Sequence, residues 1–325
     1  MVLKNLGRII LHICCLVLMI LMPKIALNSA STGLNLCIKS VIPGLFPFLF
    51  LSSYIASEIN GYSIPLLERI TKIPKGTAGY FLIGQLCGYP VGAKLLQSSI
   101  DDCMISKTDA VRMMSFCNNA SPAFIIGVLT SVFSSGKIAI IMLAVQFCAS
   151  VILGVLLPPS IDKTTAAKKL HTSKDGNIMQ NSLKTIAVIC GWIILFAVII
   201  GYVDEIFLSQ ANAVKKAFIF GMFELTNGCN QLYNTHSLPL RFIISAILLS
   251  LGGICVWVQT NSLAKDINIK KYVFHRFIHA SISGTLASVV SLFLFSSAII
   301  FVKTLPLFLC ATAIFMLILY FNKKW

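Results

Sequence analysis

Residues 78–97 read AGYFLIGQLCGYPVGAKLLQ, and residues 214–232 read VKKAFIFGMFELTNGCNQL. Both segments are apolar enough to enter a bilayer, and both are too broken to cross it as plain helices. Gly84, Gly88, Pro90 and Gly92 interrupt the first; Gly221, Thr226, Asn227 and Gly228 interrupt the second. Each break frees backbone N–H and C=O groups. A membrane tolerates those only where the backbone is buried in protein or lines a wet cavity. The two segments are therefore predicted to be re-entrant helical hairpins, each entering and leaving on one side.

The rest of the chain supports a membrane setting. Of 325 residues, 57% are hydrophobic and 11% charged, against about 25% charged in a soluble domain. A water-soluble globule of this length would lack polar surface. Eleven cysteines are too sparse for a disulfide scaffold, and most sit inside apolar runs. The net charge of +15 does not mark a nucleic-acid protein, because the basic residues fall in the gaps between apolar stretches. That placement is what the positive-inside rule produces.

A crossing helix needs about 20 apolar residues. Eight stretches qualify, at 8–27, 41–59, 110–134, 137–157, 183–203, 239–259, 281–302 and 304–321. The first is read as a retained helix in preference to a signal peptide, since its apolar run is long and no clean cleavage site ends it. Residues 33–43 are expected to form a short amphipathic segment leading into PGLFP, where Pro43 and Pro47 bend the second span. Lys163, Lys168, Lys169 and Lys174 place the 158–182 connection in the cytoplasm. Lys265, Lys270, Lys271 and Arg276 do the same for 260–280, and Lys4, Lys323 and Lys324 for both termini. Asp204 and Glu205 mark an outer link. The first hairpin then opens from the cytoplasm after Arg69, Lys72 and Lys75, and the second from outside. Lys215, Lys216 and Arg241 on the outer side fit this scheme poorly.

The order span, hairpin, span, span occurs twice and begins on opposite faces, so the halves are related by inversion. The spacing agrees: Gly84 to Asn118 is 34 residues, and Gly221 to Gly252 is 31. The expected organisation is a first helix in 1–33, a first repeat in 34–157, a basic linker in 158–182, a second repeat in 183–302 and a last helix in 303–325. Inverted repeats with broken helices mark transporter folds whose sites lie where the repeats meet. Duplication for purely structural reasons is the competing explanation.

The segments GQLCGYPVGAKLL (84–96), FCNNASP (116–122), ELTNG (224–228) and SLGGICVWVQ (250–259) resemble those of sporulation integral membrane proteins of the YlbJ type. The resemblance covers about residues 34–294, on both repeats. It implies a nucleoside-recognition (Gate) domain, an endospore-forming source, and a role in building the spore, with the cortex foremost. It leaves the bound solute open.

Several residues are candidates for binding. Pro90 bends the first hairpin, Gly88 and Gly92 permit close approach, and a half-helix starting near Val91 would aim free N–H groups at an anionic or polar group, with Lys94 one turn on. A tight hairpin with Lys94 reaching the interface explains the same residues. Asn118, Asn119 and Ser121, before Pro122, break the third span and offer donors and acceptors at membrane depth; they serve equally to satisfy carbonyls freed by Pro122. Glu224, Thr226, Asn227 and Gly228 form the second tip. A carboxylate there is expensive by roughly 2.5 kcal/mol or more and calls for a ligand, a coupled cation or an ion pair with Lys94. Gln259 lies in the matching element of repeat two, where Ser250, Gly252 and Gly253 also suit plain helix packing.

His275 and His279 have metal-ligand spacing, but no third ligand is evident, and KKYVFHRFIH (270–279) reads as an interfacial basic segment. The cysteines, among them Cys14 and Cys15, fit apolar packing. Asp101 and Asp102 are read as solvated. No catalytic set, cofactor motif or metal site is recognised. The expectation is an all-α polytopic membrane protein with about eight transmembrane helices and two re-entrant hairpins in an inverted repeat. Its expected partners are the bilayer and a small polar or nucleoside-like solute, with a second copy or sporulation membrane proteins beyond those. A non-transporting scaffold that organises cortex-building proteins is the alternative.

Overall fold

Proline and glycine set several of the helix boundaries in the computed structural model, which describes residues 10, 13, 15–58, 62–101, 103–159, 178–296 and 298–321. Lys4, the lysines of the 158–182 connection, and Lys323 and Lys324 lie outside the described residues, as does part of the expected first span. Among the described residues the fold is entirely helical, and seven helical stretches are long and apolar enough to cross a membrane.

The first half begins with α1 (Pro23–Leu36), a π-helical turn (Cys37–Val41) and α2 (Ile42–Glu58), which run on as one helix. This differs from the two separate spans expected. Pro43 cannot donate a backbone N–H and crowds the preceding turn; the wider π turn makes room without breaking the helix. A short α3 (Pro65–Thr71) precedes α4 (Ala78–Cys87) and α5 (Val91–Asp101), which pack together as a hairpin around Gly88–Tyr89–Pro90. Next come α6 (Lys107–Cys117) and α7 (Pro122–Phe133), two halves of one broken helix, and then α8 (Gly136–Leu156).

The second half repeats that order. It has a long helix α9 (Ile178–Val203), a hairpin of α10 (Ala213–Phe223) and α11 (Leu225–Gln231), a broken helix of α12 (Leu238–Leu251) and α13 (Gly253–Leu263), and the long α14 (Ile269–Phe295). A last helix, α15 (Ala298–Phe321), follows a left-handed turn at Ser296. The hairpins approach from opposite ends. At the end of α5, Gln97 Nε2 donates to Asp266 in the α13–α14 loop, and Lys107 at the start of α6 pairs with the same carboxylate at 2.5 Å. At the start of α10, Lys216 pairs with Asp204 beyond the far end of α9, at 2.6 Å.

The stretch 270–279 is corrected by the structure. It is the first part of α14, and Tyr272, His275, Arg276 and His279 are all buried. A polar run is tolerated there because these side chains share one face of the helix and turn it inward, where most of their polar atoms find partners in α6, α8 and α12. The matching span therefore starts a dozen residues earlier than hydropathy alone indicates.

A cavity at two hairpin tips and two broken helices

Each helix break has a local cause. Ser121 sits before Pro122 and is extended (φ −69°, ψ 152°); its Oγ caps α7 by accepting from Phe124 N at 3.2 Å. Between α12 and α13 the chain passes through two left-handed residues, Gly252 (φ 75°) and Gly253 (φ 80°). At the second hairpin tip Glu224 is extended and joins α10 to α11.

The hairpin tips fit against the breaks. Tyr89 N donates to Asn119 O at 2.6 Å. A Cβ on Gly88 would lie 2.4 Å from Ser121 N, so only glycine fits, and its φ of 72° also demands glycine. In the second half the glycine is on the broken helix instead: a Cβ on Gly253 would lie 2.6 Å from Gly221 O.

A cavity of about 580 Å³ lies where these parts meet. Tyr89, Ser121, Glu224, Thr226 and Gln259 supply polar lining, while Leu36, Phe124, Val128, Ile189, Ile193 and Val256 supply apolar walls. The lining continues along α7 to Ser131, and it includes Asn230 and Lys39, all three exposed. Ser131 and Asn230 lie toward the end of the molecule where the second hairpin opens, whereas Lys39, two residues from the Cys37–Cys190 contact, lies beside the middle of α9.

Of the residues expected to bind, the structure brings Ser121, Glu224, Thr226 and Gln259 to the cavity wall. Glu224 is already occupied. Its Oε1 accepts from Thr226 N (3.0 Å) and Thr226 Oγ1 (2.9 Å); its Oε2 accepts from Asn227 N (2.8 Å) and Asn227 Nδ2 (2.8 Å). The carboxylate thus caps the N-terminus of α11 and fills all four of its acceptor positions. It has no ion pair with Lys94, whose Nζ donates to Thr185 Oγ1 at 3.1 Å. Gly228 packs against Gly221 inside the hairpin, and Gly92 against Asn118. Pro90 is buried at the first tip. Gln259 Nε2 donates to Cys255 Sγ at 3.2 Å.

Asn118 and Asn119 lie behind the cavity wall, in a buried network. Asn118 Nδ2 donates to Tyr272 Oη (3.0 Å) and Thr260 Oγ1 (3.3 Å); Asn119 Nδ2 donates to Phe116 O (2.8 Å) and Ser150 Oγ (2.9 Å). The centre of the network is Arg276, which the charge pattern had assigned to a loop. It is 0% exposed and donates to Asn119 Oδ1 at 2.7 Å, to the Ser115 and Asn118 carbonyls at 3.4 and 3.3 Å, and to Leu249 O at 3.4 Å. Among the described residues no carboxylate pairs with it. Its charge instead meets the C-terminal ends of α6 and α12, each worth about half a negative charge. One guanidinium thereby joins the two helix breaks. The sequence offered a signal for this: Tyr272, His275, Arg276, His279 and Ser283 recur at helical spacing.

The architecture is that of an all-α, polytopic integral membrane protein, with a cavity of mixed apolar and polar lining where its hairpin tips and helix breaks meet. The chain is similar to the sporulation integral membrane protein YlbJ of Bacillus subtilis (strain 168), 25% identical over a 316-residue alignment that covers 82% of this chain and 77% of that protein. This agrees with the YlbJ-type resemblance carried by the hairpin and helix-break motifs. No family model matches the chain, and no solved structure matches it.

Proposed function

We propose that the chain is an integral membrane protein of spore formation, acting in cortex building, that binds a small polar or nucleoside-like solute in the central cavity and moves it across the membrane. The observation that carries this reading is the cavity itself. Two hairpin tips and two helix breaks converge on it, the arrangement by which transporters expose backbone and polar groups to a solute at membrane depth. The name of the Bacillus subtilis relative supports the sporulation setting; the nucleoside-like class of solute rests on the resemblance of the hairpin motifs to nucleoside-recognition (Gate) proteins alone. The role assigned is binding and movement, with no bond-making chemistry.

In this reading the hairpins are re-entrant and the halves form an inverted repeat. The face with Arg69, Lys72, Lys75, Lys107 and Lys265 is cytoplasmic, as is the end of α15, in the cell membrane; because α1 and α2 run on as one helix, Pro23 then lies at the outer face, which departs from the cytoplasmic N-terminal side expected from Lys4. The cavity then opens outward, and the Gln97–Asp266–Lys107 contacts hold the cytoplasmic side shut. Uptake of labelled nucleosides and cell-wall precursors into proteoliposomes tests it. Saturable uptake of one of them, reduced about tenfold by Gln259→Leu, is expected; uptake of none would overturn transport.

A scaffold reading has one observation in its favour: Glu224 and Asn119 are satisfied by the protein's own groups. It requires that substitutions at the cavity wall leave spore formation intact, while changes in the loops at 158–182 and 264–268 impair it.

A further inference from the structure

Lys39 is a cation placed at membrane depth. It lies on the π-helical turn of the continuous helix that runs from Pro23 to Glu58. At 1.5 Å per residue it is about 24 Å from the first end and about 29 Å from the second. Two residues away, Cys37 Sγ donates to Cys190 O at 3.8 Å, beside the middle of α9. A hydrocarbon core is about 30 Å thick, so a lysine near its middle is about 15 Å from either interface, too far to snorkel. An ionisable residue at that depth faces a wet space and takes a partner there. The space is the cavity, which Lys39 lines together with Leu36 and Ser40. Among the described residues its side chain makes no ion pair or hydrogen bond. Glu224, the acid on the cavity wall, lies within electrostatic reach of Cys37, but its acceptor positions are filled by Thr226 and Asn227. The cavity also has an open flank. Lys39 and Ser40 on one side and Gly127 and Ser131 of α7 on the other line it and are exposed, and a Cβ on Gly127 would meet nothing within 4 Å.

We propose that Lys39 is the charge-recognition residue of the cavity, and that the solute carries a phosphate or carboxylate group which accepts from Lys39 Nζ at membrane depth. An ammonium is a compact point charge with three donors, suited to such an oxyanion. The apolar walls take the remainder of the molecule. The open flank lets that group belong either to a water-soluble solute or to the head of an anionic lipid. This inference rests on the cavity being a solute site and gives the solute its charge.

The test uses purified full-length protein in dodecyl maltoside, in a buffer free of phosphate and sulfate, and follows binding of labelled probes in matched pairs. Uridine 5′-phosphate against uridine asks for a water-soluble solute; oleoyl lysophosphatidic acid against monoolein asks for a lipid. The expected result is that the anionic member of at least one pair binds about tenfold or more tightly, and the pair that shows this names the source. Lys39→Gln should remove the preference while melting no lower than the unmodified protein, and Lys39→Arg, which keeps the charge, should retain it. Equal binding within both pairs, or a preference that survives Lys39→Gln, would overturn the role of Lys39 while leaving a solute cavity in place. Binding of no probe would also overturn that role. The cavity reading fails separately, if every probe that binds does so equally well to Val128→Trp, whose ring fills the cavity.

Discussion

At the scale of single residues, the most informative side chains are spent on holding the backbone open. Glu224 is the clearest case. Glu224→Gln keeps the shape but turns an acceptor into a donor that must face either the Thr226 or the Asn227 donors. The expected cost is about 1–3 kcal/mol, read as a lower unfolding temperature of the purified protein. Arg276 plays the matching role at the two helix breaks. Arg276→Met strands the Asn119 amide oxygen and three carbonyls, each costing about 1–3 kcal/mol, so this variant is expected to be among the least stable at any buried position. Unchanged melting in both variants would contradict these roles. The sequence showed that Glu224 needed a partner, and the structure supplies neighbours two and three residues along. A capping pattern this local was readable from Glu-x-Thr-Asn after an apolar run. For Arg276 the helical spacing of Tyr272, His275, His279 and Ser283 marked an inward polar face, but its place at the two breaks was not readable, because it is set by carbonyls from helices more than 20 residues away in sequence.

At the scale of elements, tight backbone contacts make the hairpins and breaks fit. Gly88→Ala would force a Cβ to within 2.4 Å of Ser121 N in a left-handed backbone conformation. The expected cost is about 1–3 kcal/mol or more, with loss of solute binding, because the first tip is pushed off the cavity wall. The glycines and prolines of both hairpins and both breaks were legible for this reason: they punctuate apolar sequence where nothing else does. The joining of α1 to α2 was hidden, since Pro43 and Pro47 argue for a break and only the π turn reconciles them with a continuous helix.

One element contact also has a pH signature. Asp266, in the α13–α14 loop, is held below the ordinary carboxylate range by donors from Lys107 and Gln97. A carboxyl depressed in the folded state stabilises the contact at neutral pH and loses it only as pH falls through that lowered value. The latch is therefore expected to be indifferent between pH 6 and 8. Asp266→Asn should release it at any pH, seen as faster maleimide labelling of a cysteine placed at Thr108 than in the unmodified latch. Equal rates would show that Asp266 holds nothing shut.

At the scale of the whole molecule, charge tells less about topology than its sum implies. Two arginines that a loop count assigns to membrane faces, Arg241 and Arg276, instead cap helix ends, as does Arg112 inside the expected third span. Arg112 donates to the carbonyls of Thr71, Lys72, Gly154 and Leu157; Arg241 to those of Val132, Tyr233 and Thr235; and Arg276 to the two broken helices. Arg241 and Lys216, which fitted the sequence-based topology poorly, are thus accounted for by carbonyls and by Asp204. Hydropathy and punctuation carried the class of fold and the two hairpins. They missed the polar face of α14, because a partnered polar stripe inside a bundle has the same composition as a loop.

The central claim is that the two hairpins open on opposite faces and meet at the cavity. Its most direct measurement is sidedness: single cysteines at Lys75 and Asp101, flanking the first hairpin, and at Asn212 and Asn234, flanking the second, probed with a membrane-impermeant maleimide in intact and in opened cells. Lys75 and Asp101 are expected to react only after opening, and Asn212 and Asn234 in intact cells. Reaction of the two positions of either pair from different sides would mean that the hairpin crosses the membrane, and would contradict the account.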